Sequence, residues 1–366
     1  MERDRVQTKY ILLITGIDNT RRLKMAIAFA MVLRTRRIMS ILTLAGDAVS
    51  AKKKMEEFGY EVVSCESEKK KRGLMDILFG SFKYKSLVKK ADKILSLKAV
   101  DGVITMGGAY GNSFIEAAKQ KGIKTFLHES NAILSPSNIK VINSVDKIFL
   151  SFKELGSGLD PKKVLVTGTP IEKRLLNAEP RKIPTDKKIM VIFKCDKNSN
   201  TMNDLIRSFF TKYPEMRREF FVLQETGERD VASIKRFYDS VQVESLCYMS
   251  YENRSKYYQT GDIVLCRPTS DVIAELIGVK KTGVLLPLAP KYDKYQKENA
   301  KLMSKRRLAY LVEDTGSITI RTKKLYRVLS SFLDNSEQLT PNLEAMGFDK
   351  SATKMANNID RYLSGK

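Results

Sequence analysis

Histidine is nearly absent from this sequence, with one residue, His128, in 366. An imidazole-based metal site cannot be assembled from one histidine, so no metal is expected. Cysteine is sparse as well. Cys65, Cys195, Cys247 and Cys266 are scattered, without a CxxC pair or zinc-like spacing. They read as small buried hydrophobes in a reducing compartment. No apolar run approaches the roughly 20 residues that cross a bilayer. The opening stretch MERDRVQTKYILLITG lacks the apolar segment and cleavage site of a signal peptide. Its short run Tyr10–Thr15 leads straight into Gly16 and reads as a first strand. These absences predict a cytoplasmic protein.

Acidic residues are also in deficit, 42 against 65 Lys+Arg, for a net charge of +23. Such a balance implies an anionic partner, a general affinity for polyanions, or a lysine-rich proteome. Nucleic acid and an anionic membrane both fit. The distribution of charge separates them. The segment Lys69–Lys90, KKKRGLMDILFGSFKYKSLVKK, interleaves Lys70, Lys71, Arg72, Lys83 and Lys85 with Leu74, Ile77, Leu78, Phe79 and Phe82. Apolar residues recur there at helical spacing with flanking charge, as in an interfacial amphipathic helix. The alternative is a core-facing helix with a solvated basic face. No nucleic-acid recognition motif accompanies the segment, and aliphatic residues rather than stacking aromatics dominate it, so no nucleic-acid partner is expected.

Strand-like and helix-like segments alternate along the first half: Tyr10–Thr15, Met39–Gly46, Tyr60–Cys65, Asp101–Gly108, Lys124–Glu129 and Asp146–Phe152, with helical runs at Leu23–Leu33 and Asn112–Lys121. This rhythm indicates an α/β protein with a doubly wound parallel sheet. After KVLVTG (Lys163–Gly168) and the Pro/Lys-rich linker Asn177–Lys188, a second series begins at Lys188–Phe193. It continues through Glu219–Gln224, Glu244–Met249, Asp262–Arg267 and Thr282–Pro287. The expected organisation is two Rossmann-like domains, 1–163 and 164–344, facing a cleft. A C-terminal helical segment, 345–366, packs back on the first domain in this reading. Ligands of such sheets bind at the carboxyl ends of the strands.

The segments YENRSKYYQTGDIVLCRPTSDVIAEL and VLLPLAPKYDKYQKENA resemble the MurG family of cell-wall glycosyltransferases, with its R-x-G-A-x-T-x-x-E and P…D-x-x-Q-x-x-N-A patterns. The stretch TMGGAYGNSFIEAAKQKGIKTFLHESNAILSPSN resembles that family's Gly-Gly turn, helix and H-E-x-N…N strand end. VLVTGTPIEKRL matches its G-x-P turn, and FVLQETG a strand of its second domain. The matches run in order over most of the chain.

That resemblance implies a GT-B fold and transfer of N-acetylglucosamine from UDP-GlcNAc to an undecaprenyl-linked acceptor, with the enzyme peripheral on the inner face of the cell membrane. The UDP-sugar enters as donor substrate, and no cofactor or metal is expected. Glu275 falls at the family's acidic position, where a carboxylate accepts both hydrogen bonds of a ribose diol; a solvated helix glutamate is the alternative. Gln296 and Asn299, three apart on a helix start, face sugar hydroxyls or else act as caps and surface polar groups. His128, Glu129 and Asn131 occupy the H-E-x-N that the family places beside the sugar. His128 then serves as a proton-transfer group near neutral pH or as a structural residue. Glu129 joins it among the candidate catalytic groups and Asn131 among the donor-binding ones. Gly107 and Gly108 suit a tight turn close to a ligand. The family docks on membranes through the Lys69–Lys90 region, which makes an anionic membrane surface, a lipid-linked acceptor and cell-envelope synthesis proteins the implied partners.

The sequence departs from the family at its phosphate-handling loops. The first-turn pattern G-G-T-G-G-H is replaced by IDNTRR, Ile17–Arg22. The histidine position holds Arg22, which cannot act as a base. Asp18 is the substitute base, and Arg21 and Arg22 are candidate phosphate or acceptor ligands. The second loop, G-G-S-x-G in the family, becomes KCDKN, Lys194–Asn198, where Lys194 and Lys197 can reach a diphosphate. Arg267 belongs to the same donor side. Two readings follow. One is a divergent glycosyltransferase. The other is a catalytically inactive, membrane-associated scaffold or regulator of envelope synthesis on the same fold.

Overall fold

The computed structural model describes residues 8–65, 80–193, 199–228, 230–249, 254–289, 293–334 and 340–365. The chain divides into two units, Met1–Glu172 with Lys350–Lys366, and Lys173–Asp349.

In the first unit, β1 (Tyr10–Ile17), β2 (Ile38–Ala45), β3 (Glu61–Cys65), β4 (Gly102–Thr105), β5 (Lys124–Glu129), β6 (Lys147–Leu150) and β7 (Val164–Val166) form one sheet in the order β3-β2-β1-β4-β5-β6-β7. Every pairing is parallel; Leu13 of β1, for example, lies between Ile41 and Val103. A parallel strand covered on both faces reads as a continuous apolar run, which is the character of YILLIT. The helix Thr20–Thr35 buries Leu23, Ala26, Phe29, Ala30 and Leu33, a stripe of helical period. The helix Ser351–Leu363 adds Met355, Ala356 and Ile359 to the same core. Its Tyr362 donates to Asp146 Oδ1 at 3.2 Å and meets the Phe126 ring edge-on at 5.8 Å.

Val164–Val166 corrects the domain boundary expected at 163/164. This strand pairs with β6, Ile148 opposite Val164, and completes the first sheet, so the division follows Glu172 instead. A short apolar strand carries no mark of which sheet edge it will cover. The stretch read as a linker is docked on the second unit: Arg181 N–H donates to Thr260 Oγ1 at 2.7 Å, and its guanidinium to Tyr257 Oη at 3.1 Å.

The second unit has β8 (Lys188–Ile192), β9 (Phe220–Glu225), β10 (Ser245–Tyr248), β11 (Ile263–Cys266), β12 (Thr282–Leu285) and β13 (Tyr310–Leu311) in the order β10-β9-β8-β11-β12-β13, again all parallel. Counted from its own first strand, this repeats the order of the first sheet. In each sheet the strand order reverses beside the opening strand. Connections on either side of that strand run to opposite faces and leave a crevice at the carboxyl ends.

Candidate functional site

At the reversal point of the first sheet the backbone is unusually close. Gly16 has φ +77°, and a Cβ on it would fall 2.4 Å from the Gly107 carbonyl oxygen. Gly107 and Gly108 are both left-handed, φ +99° and +82°, and open the helix Gly108–Gln120. A side chain on Gly108 would meet the Arg22 guanidinium at 2.8 Å. The turn between β1 and the helix Thr20–Thr35 is capped by Asn19, whose side chain accepts from Arg22 N at 3.0 Å. Arg22 Nη1 reaches both oxygens of Asp18, at 2.6 and 2.7 Å. An ion pair thus occupies the turn where the family has glycines. Asp18 remains about a third exposed, and Arg21 is exposed.

Glu129 ends β5 and is buried. Its Oε1 accepts from the backbone and side-chain amides of Asn131 at 3.1 and 3.0 Å, and its Oε2 from Ser135 N and Asn138 Nδ2 at 3.0 and 2.8 Å. Glu129, a candidate catalytic group by its place in the H-E-x-N pattern, thus has both oxygens engaged. Four donors saturate the carboxylate, which fixes the Asn131–Asn138 loop beside Gly107. Asn131 is committed to the same bracket.

His128 points to the opposite face of β5, as neighbouring strand residues do. It is 1% exposed, and its Nε2 lies 3.2 Å from the Gly168 carbonyl. Burial lowers its pKa to about 4, against a smaller upward effect of the Gly168 bond. Of the two roles open to His128, proton transfer or structure, its burial favours the structural one: the imidazole is neutral near pH 7 and shielded from solvent.

The second unit carries a buried cluster at the carboxyl ends of β8 to β11. Glu275, on the helix Ser270–Val279 that follows β11, accepts from Tyr258 Oη at 2.8 Å. Tyr258 packs against Phe193 with ring centroids 4.5 Å apart. Arg254 stacks over the same Phe193 ring at 4.5 Å and pairs with Glu225 at 2.5 Å. The Glu225 and Glu275 carboxylates hold the Arg254 guanidinium firmly protonated despite its burial. Arg254 and Tyr258 escaped sequence reasoning. Their only sequence signal is the i, i+4 spacing that sets them on one side of the helix Arg254–Thr260.

Arg267 is buried, donating to the Leu286 carbonyl at 2.5 Å and to Thr201 Oγ1 at 2.6 Å. Gln296 and Asn299 are buried too, but they brace loops. Gln296 Oε1 accepts from Leu288 N at 3.1 Å, its Nε2 donates to Asp293 at 3.2 Å, and Asn299 Nδ2 donates to the Pro268 carbonyl at 3.1 Å. Both amides set the loops after β11 and β12 rather than standing at the surface as caps. Lys194 lies outside the described residues.

So do Lys70, Lys71, Arg72, Leu74, Ile77, Leu78 and Phe79, and the side chains of Phe82 and Lys83. Lys85 is exposed on the helix Gly80–Leu97, whose Ala91 and Leu95 are buried. Within the segment itself, Tyr84, Leu87 and Val88 are half-buried and Lys85, Lys89 and Lys90 are exposed.

Residues 197–359 match the glycosyltransferase family 28 C-terminal domain. The chain is 26% identical over 308 residues to the UDP-N-acetylglucosamine–N-acetylmuramyl-(pentapeptide) pyrophosphoryl-undecaprenol N-acetylglucosamine transferase of Syntrophus aciditrophicus (strain SB), covering 84% of each. It is 22% identical over 303 residues to the Myxococcus xanthus (strain DK1622) protein of the same name, covering 82% of this chain and 79% of that one. The crystal structure of Acinetobacter baumannii MurG superimposes with a TM-score of 0.75 at 14% identity, covering 96% of this chain and 99% of that chain. That likeness shows the fold, GT-B.

Proposed function

We propose that the chain, which has the GT-B fold and is similar to MurG-type transferases over most of its length, transfers a sugar of the N-acetylglucosamine type from a UDP-sugar to a lipid-linked peptidoglycan precursor. The observation that carries the reading is Glu275. It is a buried carboxylate in the helix that follows β11, held in place by Tyr258, within the region that matches the family 28 domain. A carboxylate so oriented is suited to a ribose diol. Gln296 and Asn299 support the loops around the donor, and Arg267 is its cationic neighbour. Positive groups stabilise the leaving diphosphate without a metal. Asp18 is the candidate base, because it is the solvent-accessible carboxylate at the acceptor-side turn, though paired with Arg22. Arg21 and Arg22 lie beside it.

The enzyme would work peripherally on the cytoplasmic face of an anionic membrane. Among the described residues no helix is long and apolar enough to cross one. The basic, apolar segment around Lys69–Lys90 is the proposed docking surface.

A second reading, an inactive scaffold for envelope-synthesis proteins on the same membrane, is favoured by one observation. None of the three candidate catalytic groups stands free: Asp18 is ion-paired, Glu129 is saturated and His128 is shut in the core.

Calorimetric titration with UDP-GlcNAc and UDP, beside a Glu275→Ala variant, decides between them. Micromolar binding that the variant weakens at least tenfold is expected, followed by transfer to a lipid-linked acceptor that Asp18→Asn abolishes. No binding at millimolar ligand would discard the transferase and leave the scaffold.

A further inference from the structure

Two guanidinium groups are buried together at the carboxyl edge of β11, β12 and β13. Arg267 directly follows β11 and is 5% exposed; Arg321 lies in the first turn of the helix Ile318–Leu333 and is also 5% exposed. Arg267 uses Nη1 and Nη2 on Leu286 and Thr201, and its Nε has no hydrogen-bond partner among the described residues. Arg321 is emptier. Its Nε and Nη2 are both buried and unpartnered among the described residues, and Nη1 lies 3.7 Å from Asp314 Oδ1. Each guanidinium acts on the other as a like charge: burial first, and then Arg267, lower the Arg321 pKa, against the opposing pull of Asp314.

A buried cation with unmet donors is costly, and a second cation beside it makes it more so. Proteins retain such an arrangement where an anion completes it. The surroundings suit one. Thr201 contributes a hydroxyl from the first turn of the 14-residue helix Ser199–Lys212, whose amino end favours negative charge. That helix packs directly on the Arg321 helix, Thr322 Oγ1 bonding Ser208 Oγ at 2.9 Å. Arg267 and Thr201 are thus in direct contact, and the helices that carry Thr201 and Arg321 pack on each other. A planar fork such as Arg321 matches the geometry of two phosphate oxygens.

We propose that Arg321, with Arg267 and Thr201, forms a phosphate-type anion site that receives the diphosphate of the nucleotide sugar. Side-chain guanidinium groups take over the task that glycine-loop amides perform in relatives. The identity of the diphosphate rests on the donor reading given above; the anion site itself does not.

The test combines Arg321→Gln with three probes: UDP, uridine and inorganic pyrophosphate. In the variant, UDP and pyrophosphate affinities should fall about tenfold or more, the loss of one charge-assisted bidentate contact. Uridine affinity should not change. The melting temperature of the ligand-free variant should stay within a few degrees of the wild type, because the one ion pair lost, to Asp314, is long at 3.7 Å and the other buried donors removed are unpartnered. Unchanged UDP and pyrophosphate affinity would overturn the proposal, as would no binding of either anion to the wild type. A variant that melts well below the wild type, or fails to fold, would also overturn it by showing that Arg321 is structural. Pyrophosphate binding that depends on Arg321, with no binding of UDP or uridine, would keep the anion site and remove the donor reading.

Discussion

The first-unit histidine shows how one residue can be chemically reactive by type and inert by placement. His128 is fully buried with a pKa of about 4, against about 6.5 in an unfolded chain, and the dominant cause is desolvation. Between those values the unfolded chain binds a proton that the native protein refuses. Stability therefore rises with pH across this window. The contribution is complete above about pH 6.5 and is lost as pH falls towards about 4, amounting to something on the order of 3 kcal/mol. Thermal melting between pH 7 and pH 4 should show a steep acid-side decline. His128→Gln, which keeps a donor for the Gly168 carbonyl, should flatten it. A variant that declines as steeply as the wild type would show that another group carries the acid sensitivity. The same residue was legible from sequence as a candidate because it opens the H-E-x-N pattern. Nothing in the letters distinguishes a cleft imidazole from one turned to the far face of its strand. Glu129 makes the complementary point. Its neighbours Asn131, Ser135 and Asn138 are visible in the sequence, but their convergence on two oxygens is a property of the loop.

At the scale of elements, the turn after β1 and the helix after β4 interlock through glycine. A Cβ on Gly111 would stand 2.1 Å from Thr105 Oγ1 and 2.8 Å from Gly16 Cα, with backbone and a buried hydroxyl giving no room. Gly111→Ala should destabilise the first unit by about 3 kcal/mol, at the upper end of overpacking costs. Gly122→Ala is the control, since its φ of +69° is strained for alanine but its surroundings are open. It should cost only about 1 kcal/mol. Equal melting temperatures for the two variants would refute the interlock. The alternation of apolar strands and amphipathic helices exposed both sheets in advance, because a parallel strand buried on two faces cannot hide its composition. Three things stayed out of reach. Val164–Val166 had no feature tying it to β6, Arg321 looked like any surface arginine in a helix start, and the Asp18–Arg22 pair replaced a glycine turn whose loss alone did not say what filled it.

The whole molecule is strongly basic, and that charge acts at longer range than any single contact. Cosedimentation with vesicles containing anionic lipid should be strong at low salt and fall steeply as salt rises. Replacing Leu74, Ile77 and Phe79 with serine should weaken it several-fold at constant charge. Binding indifferent to those three residues would leave electrostatics alone as the anchor. The chain also returns to its beginning. Residues 350–366 belong to the first unit, where Met355, Ala356 and Ile359 are wholly buried in the core shared with Phe29 and Leu33, and Lys9 pairs with Asp360 at 2.6 Å. The exposed ion pair is screened by solvent and adds little. The three apolar side chains carry the attachment, roughly 5 kcal/mol by area. That is a large share of the 5–15 kcal/mol by which a domain is typically stable. Removing residues 350–366 should therefore unfold the first unit while the second persists as a protease-resistant fragment near 173–349. Ile359→Asp should act in the same direction, by placing an unpaired charge in that core. An early melting transition that is unchanged in both variants would mean that the helix covers the core without sustaining it.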